Sequence, residues 1–139
     1  MANLQETILI FDFGSQYAQL IARRIRELRV HSEIVARDIT AAEILAKRPI
    51  GLILSGGPAS VYAEDAYRID PEIFGLGIPI LGICYGHQVI ADALGGVVSN
   101  TGLGEFGKTE LSVSWPSLLF RELPATQDVW MSHKDTVSS

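Results

Sequence analysis

The sequence has 139 residues, 47% of them hydrophobic and 19% charged; this excludes a disordered polar tail and fits one globular domain over residues 1–139. Its net charge of −5 speaks against a nucleic-acid partner, which needs a basic face, and no apolar run nears the roughly 20 residues of a membrane span. A single cysteine, Cys84, excludes a disulfide framework and a Cys-rich zinc site, so no metal is expected; without a basic leader at Met1-Ala2-Asn3-Leu4-Gln5-Glu6, the expected setting is the reducing cytoplasm.

The first element in chain order is Thr7-Ile8-Leu9-Ile10-Phe11-Asp12, a continuous apolar run that predicts a buried parallel strand. Gly14 and Ser15 make a turn, and Gln16 to Arg29 reads as a helix with Tyr17, Leu20, Ile21, Ile25 and Leu28 on its inner face. Arg23, Arg24, Arg26 and Glu27 fall on the other side, as a solvated helix face does. Ser32 to Ala36 predicts a second strand. Thr40 and Glu43 have capping-box spacing for a short helix, and Gly51-Leu52-Ile53-Leu54 forms a third strand running into the tight turn Ser55-Gly56-Gly57-Pro58. Residues 59–77 read as loop with one helical turn near Pro71. Ile78 to Ile83 predicts a fourth strand that ends at Cys84, and Tyr85 to Leu94 a helix stopped by Gly95-Gly96.

After that the pattern changes. Lys108 to Trp115 alternates, with Leu111, Val113 and Trp115 on one face, as antiparallel strands do; Asp128 to Met131 is a last short strand. The chain then ends at Val137-Ser138-Ser139 without a closing helix, as a domain cut short would. The expected fold is α/β: a flavodoxin-like, open, mostly parallel sheet with helices on both faces, plus antiparallel strands toward the C-terminus. Ligands of such sheets bind beyond the carboxyl ends of the strands. That singles out the turns Phe13-Gly14-Ser15, Ser55-Gly56-Gly57-Pro58 and Gly82-Ile83-Cys84-Tyr85-Gly86.

Gly82-x-Cys84-x-Gly86 has the pattern of a nucleophile elbow with sulfur in place of the serine oxygen. Positions two before and two after the nucleophile must lack bulk, and glycine stands at both. The following helix aims its N-terminus at the sulfur, where its dipole favours negative charge. The Tyr85 N–H and the Gly57 N–H are the candidate donors to a developing oxyanion, each such donor being worth about 3–4 kcal/mol.

These residues carry a family resemblance. Gly82-Ile83-Cys84-Tyr85-Gly86-His87-Gln88 resembles the nucleophile segment of class I (triad-type) glutamine amidotransferases, and Ser55-Gly56-Gly57-Pro58 their oxyanion turn. Ile10-Phe11-Asp12-Phe13-Gly14-Ser15-Gln16-Tyr17, with the stretch from Leu20 to Glu27, is similar to the N-terminal amidotransferase domain of the GMP synthase branch. Ser60-Val61-Tyr62, Glu105-Phe106-Gly107 and the stretch from Trp130 to Asp135 match the same branch, so the resemblance covers nearly the whole chain.

The resemblance implies hydrolysis of L-glutamine to glutamate and ammonia through a thioester on Cys84, with Gly57 and Tyr85 as the oxyanion hole. Gln88, one helical turn past Cys84, would hold the amino-acid end of the substrate, with further contacts near His133 and Lys134. A glycine is common in the family where Lys134 stands; backbone contacts would survive that change, although left-handed geometry suits lysine less well. The implied partner is an ATP pyrophosphatase domain that aminates XMP to GMP. ATP and Mg2+ would belong to that domain; this chain has no phosphate loop and no cofactor of its own, and self-association into a homodimer stays open.

Thioester chemistry needs a base. The family's comes from a His-Pro-Glu segment, which this sequence does not contain. His31 sits away from the strand carboxyl ends, His87 lies on the elbow helix and leans along it, and His133 is expected on a loop as a structural or domain-contact residue. The expectation is therefore a truncated amidotransferase domain that is inactive alone. The alternatives are a non-catalytic flavodoxin-like binding module, or an amidotransferase of the anthranilate or carbamoyl phosphate type.

Overall fold

A computed structural model describes residues 6–57, 69–114 and 117–138. Pro58, the Ser60-Val61-Tyr62 stretch and Trp115 lie outside the described residues. The chain folds as two compact units, one of Met1–Val98 with Val137–Ser139, the other of Ser99–Thr136.

The first unit is built on four parallel strands, β1 (Thr7–Asp12), β2 (His31–Ala36), β3 (Gly51–Leu54) and β4 (Ile80–Gly82), in the order β2-β1-β3-β4. β1 is central: Ile10 lies beside Ile34 of β2 and Ile53 of β3, while Leu54 lies beside Gly82 of β4. Alternation along β1 feeds two cores. Ile10 and Ile53, with Ile8 and Leu81, pack against helix α1 (Tyr17–Glu27) on one face. Leu9, Phe11, Leu52 and Leu54 pack on the other face with Ile44 of helix α2 (Ala41–Lys47), Ile73 of a 3-10 turn (Pro71–Gly75), and Tyr85 and Val89 of helix α3 (Tyr85–Ala93). Helices therefore cover both faces, as expected. Among the described residues no helix is long and apolar enough to cross a membrane.

The inner face of α1 differs from the expected one. Ala18, Ala22 and Ile25 are buried with Ile21 beside them, whereas Tyr17 is 65% and Leu28 77% exposed and Leu20 is also exposed. Small side chains win because they let the helix approach the sheet closely, and residues 18, 22 and 25 form the i, i+4, i+7 stripe. Ser32, fully buried, ties this helix to β2: its hydroxyl donates to the Ala22 carbonyl at 2.7 Å and accepts from Arg26 Nε at 3.0 Å. Arg26 therefore does more than decorate a solvated face.

Thr40 caps α2, its hydroxyl accepting from the Glu43 amide at 3.2 Å. Asp70 caps twice: its carboxylate accepts the Glu72 amide at 3.0 Å and the Ala41 amide, at the start of α2, at 2.9 Å. These two N–H bonds, to Ala41 first and Glu72 second, hold the Asp70 carboxyl below its ordinary range.

The second unit is mainly a hairpin of β5 (Val98–Ser112) and β6 (Thr126–Val137). The Val113 amide donates to the Ala125 carbonyl at 2.7 Å, and Lys108 pairs with Asp128 at 3.1 Å, so the strands run antiparallel. Both are far longer than the sequence predicts. Glycines at 102, 104 and 107 and many polar residues blur the alternation before Lys108. Backbone pairing carries the strands through those positions.

Candidate functional site

Cys84 follows β4 at the carboxyl end of the sheet and caps α3, with φ 54° and ψ −115°. A non-glycine residue in that region is strained and persists only where its surroundings fix it. The surroundings here are specific. The Ile83 amide donates to the Leu54 carbonyl at 2.9 Å, prolonging the β3–β4 ladder to the residue before the cysteine. The Gly86 amide then turns back to the Ile83 carbonyl at 3.0 Å, and the Gln88 amide to the Cys84 carbonyl at 3.2 Å. The turn from strand to helix is thus closed by backbone bonds on both sides of an exposed thiol.

The flanking glycines are required by space. A Cβ on Gly86 would lie 1.9 Å from the Leu54 carbonyl oxygen, and one on Gly82 would lie 2.7 Å from Cα of His87. No side chain fits at either place. The elbow read from Gly82, Cys84 and Gly86 is therefore the geometry the chain adopts.

The Ser55-Gly56-Gly57 turn comes up against the same thiol. A Cβ on Gly56 would sit 3.4 Å from Cys84 Cβ and 4.0 Å from Sγ. Ser55, fully buried, anchors the turn by donating its hydroxyl to the Phe11 carbonyl at 2.7 Å. Gly57 is pressed against the chain after β1: a Cβ there would lie 2.6 Å from the Phe13 carbonyl oxygen and 2.9 Å from Phe13 Cβ. Phe13, itself fully buried, meets Tyr85 edge to face, with ring centroids 5.3 Å apart at 74°. The Asp12 carboxylate holds the next turn by accepting the Gly14 amide at 2.8 Å, with Gly14 at φ 87°.

The turns singled out by the sequence thus come together at the elbow: Gly56 lies against Cys84, and Phe13 touches both Gly57 and Tyr85. Tyr85, the first residue of α3, is buried beneath it, and Gln88 on the same helix is only 7% exposed, so it belongs to the packed side of α3. His87 is exposed, and His31 opens β2 at the opposite end of the sheet. His133 and Lys134 belong to β6 in the second unit. The expected loop position of His133 is corrected: it lies in a strand, largely covered, with Nε2 3.8 Å from the Glu105 carboxylate across the hairpin. Long-range strand pairing, invisible in the local sequence, decides this. Phe13 and Ser55 stand in the motifs, yet the motifs assign them no role. Their placement directly after β1 and β3 at the carboxyl edge is the signal that points to them. Among the described residues no group of three or more His, Cys, Asp or Glu side chains could hold a metal ion.

Comparison with known proteins shows the family and the fold. Residues 9–139 match the family model of class-I glutamine amidotransferases. A GMP synthase [glutamine-hydrolyzing] of Parafrankia sp. is 59% identical over 134 residues, 96% of this chain and 25% of the relative. One from Exiguobacterium sibiricum is 58% identical over 135 residues, 97% of this chain and 26% of the relative. The chain spans about a quarter of the length of these curated relatives. The crystal structure of a Thermoplasma acidophilum protein, described as a GMP synthase component, superposes with a TM-score of 0.84 at 34% identity, covering 99% of this chain and 69% of that one. A glutamine amidotransferase of Thermotoga maritima shares the fold, with a TM-score of 0.72 at 24% identity, covering 95% and 62%.

Proposed function

Because the chain belongs to the class-I glutamine amidotransferase family, we propose that it hydrolyses L-glutamine to L-glutamate and ammonia within a longer GMP synthase. The observation that carries this reading is Cys84 on a strained strand-to-helix turn, with the Ser55-Gly56-Gly57 turn against it. Sulfur attacks the side-chain amide carbon and the carbonyl oxygen takes up the negative charge. The Gly57 and Tyr85 amides bind that oxyanion, and a preorganised donor of this kind is worth about 3–4 kcal/mol. Collapse expels ammonia with a proton and leaves a glutamyl thioester. Water then cleaves the thioester, releasing glutamate and restoring the thiol. Gln88 would hold the amino-acid end of glutamine.

The proton-transfer base of this chemistry is of the His-Pro-Glu kind, which these 139 residues do not contain. We therefore assign near-zero glutamine turnover to residues 1–139 alone. In the longer protein the ammonia would pass to an ATP pyrophosphatase domain that aminates XMP, and ATP and Mg2+ would act there. The setting fits the cytoplasm, where a thiol nucleophile stays reduced.

The test is trapping. A glutamine-shaped chloroketone should add one adduct to Cys84, read by intact mass and peptide mapping. L-glutamine should protect and L-asparagine should not, and C84A should take no adduct. Labelling no faster than by a chloroketone without the amino-acid end would refute the reading; release of ammonia from glutamine by residues 1–139 at the rate of a full-length relative would refute only the near-zero turnover assigned to these residues alone.

A further inference from the structure

We propose that Phe13 is a positioning residue that sets the spacing between the two oxyanion-hole amides, an inference that rests on the amidotransferase reading above. Phe13 touches the two halves of the hole with different parts of itself. Its backbone holds Gly57, since the Phe13 carbonyl oxygen and Cβ lie 2.6 and 2.9 Å from where a Gly57 Cβ would be. Its ring holds Tyr85, meeting the Tyr85 ring edge to face at 5.3 Å. Both rings are buried, so neither can swing without opening a void. The backbone of Phe13 is itself fixed from behind: it directly follows β1, and the next residue, Gly14, is turned at φ 87° with its amide on the Asp12 carboxylate.

The two contacts respond differently to shortening the side chain. Truncation leaves the backbone contact to Gly57 in place but removes the ring that braces Tyr85. The first turn of α3 then relaxes into the space while the Gly57 turn stays, and the distance between the two amides changes. Misplacement of a reacting group by about 1 Å costs on the order of a hundredfold in rate. A purely structural phenylalanine would instead lower stability and substrate binding together.

The experiment uses the glutamine-shaped chloroketone on the whole chain. Cys84 sulfur first adds to the ketone carbon, whose oxygen takes the C=O electron pair; the sulfur then bonds to the methylene carbon, chloride leaves with the C–Cl electron pair, the bond from sulfur to the former ketone carbon breaks as the C=O re-forms, the thiol proton passes to buffer, and nothing is oxidised or reduced. The ketone oxygen turns to oxyanion during the attack and needs the hole; alkylation by iodoacetamide forms no oxyanion and does not. Saturation kinetics separate the maximal labelling rate from the half-saturating concentration for wild type, F13L and F13A, with circular dichroism and thermal melts alongside. The expected result is a maximal rate about 10–100-fold lower in F13A, with half-saturation and the iodoacetamide rate within about twofold of wild type. F13L keeps bulk against Tyr85 and should recover part of the loss; it decides the matter if F13A does not fold. An unchanged maximal rate in the folded variants overturns the inference. So does a parallel fall of maximal rate, affinity and iodoacetamide labelling. If wild type itself shows no preference for the glutamine-shaped reagent, the amidotransferase reading falls first and the role of Phe13 with it.

Discussion

Replacing Gly86 with alanine adds one methyl group where the backbone of β3 leaves no room for it. The added Cβ would lie 1.9 Å from the Leu54 carbonyl oxygen, 2.4 Å from its carbon and 2.7 Å from Leu54 Cβ. Ordinary carbon contacts begin near ~3.5 Å, so α3 or β3 must move by more than an ångström. Neither yields easily. Leu54 is fully buried, and its carbonyl also accepts the Ile83 amide at 2.9 Å, the bond that fixes the elbow. Overpacking of a core costs about 1–3 kcal/mol, and a clash between two backbones belongs at the upper end or beyond it. For a chain of this size about 3 kcal/mol corresponds to a melting point lower by roughly 10 °C. Gly75 provides the control, since nothing lies within 4 Å of a Cβ built there. The same change at Gly75 should be neutral or stabilise by about 0.4–1 kcal/mol through the unfolded chain. Urea titration and thermal melts of G86A and G75A measure both. A G86A midpoint within about 0.5 kcal/mol of wild type would refute the claim that space alone demands glycine in the elbow.

Ser55→Ala removes a buried hydroxyl bonded to the Phe11 carbonyl, and should cost about 1–3 kcal/mol in urea titration while also slowing chloroketone labelling of Cys84. Unchanged labelling in folded S55A would show that Gly57 is held without this anchor. Asp70→Ala should lower stability near neutral pH, and the gap from wild type should close as the solution is acidified. The sign follows from the lowered folded-state pKa: the carboxylate contributes fully above its unfolded pKa of about 4 and loses its contribution as pH falls through the lower folded value. Urea midpoints from pH 7 down to pH ~2.5 measure the gap, and one that widened toward acid would contradict the double cap.

The sequence was most legible where one constraint dominates. β1 and β3 begin and end at the residues the apolar runs predict, because strands buried on both faces leave no polar alternation to confuse their edges. The elbow was legible because steric exclusion acts over two residues on either side of Cys84. The packed face of α1 was not. Helical period identified the helix, but two arcs compete, one holding Tyr17, Leu20 and Leu28, the other Ala18, Ala22 and Ile25. Hydrophobicity favours the first, close packing against a sheet the second. The hairpin was underestimated because Gly104 and Gly107 carry no side chain to show which face is buried, and its pairing spans residues distant in sequence. The meeting of Phe13, Gly57 and Tyr85 was equally hidden, since each lies on a different crossover of the sheet. Motif spacing reveals which turns face the same edge, but only packing reveals which atoms touch.

The two cores fed by alternate residues of β1 give mutation two separate effects. Ile10, Ala18, Ala22, Ile25 and Ile53 form a layer that includes none of the residues assigned to glutamine chemistry. Leu9, Phe11, Leu52 and Leu54 share theirs with Phe13 and Tyr85. Drift on the α1 side therefore alters how long the fold survives and leaves the reacting groups where they are. Drift on the α3 side alters lifetime and rate together. A lineage or an engineer seeking a hardier version of this chain has one side of the sheet to rebuild freely, and a parity rule along a single strand marks which side that is.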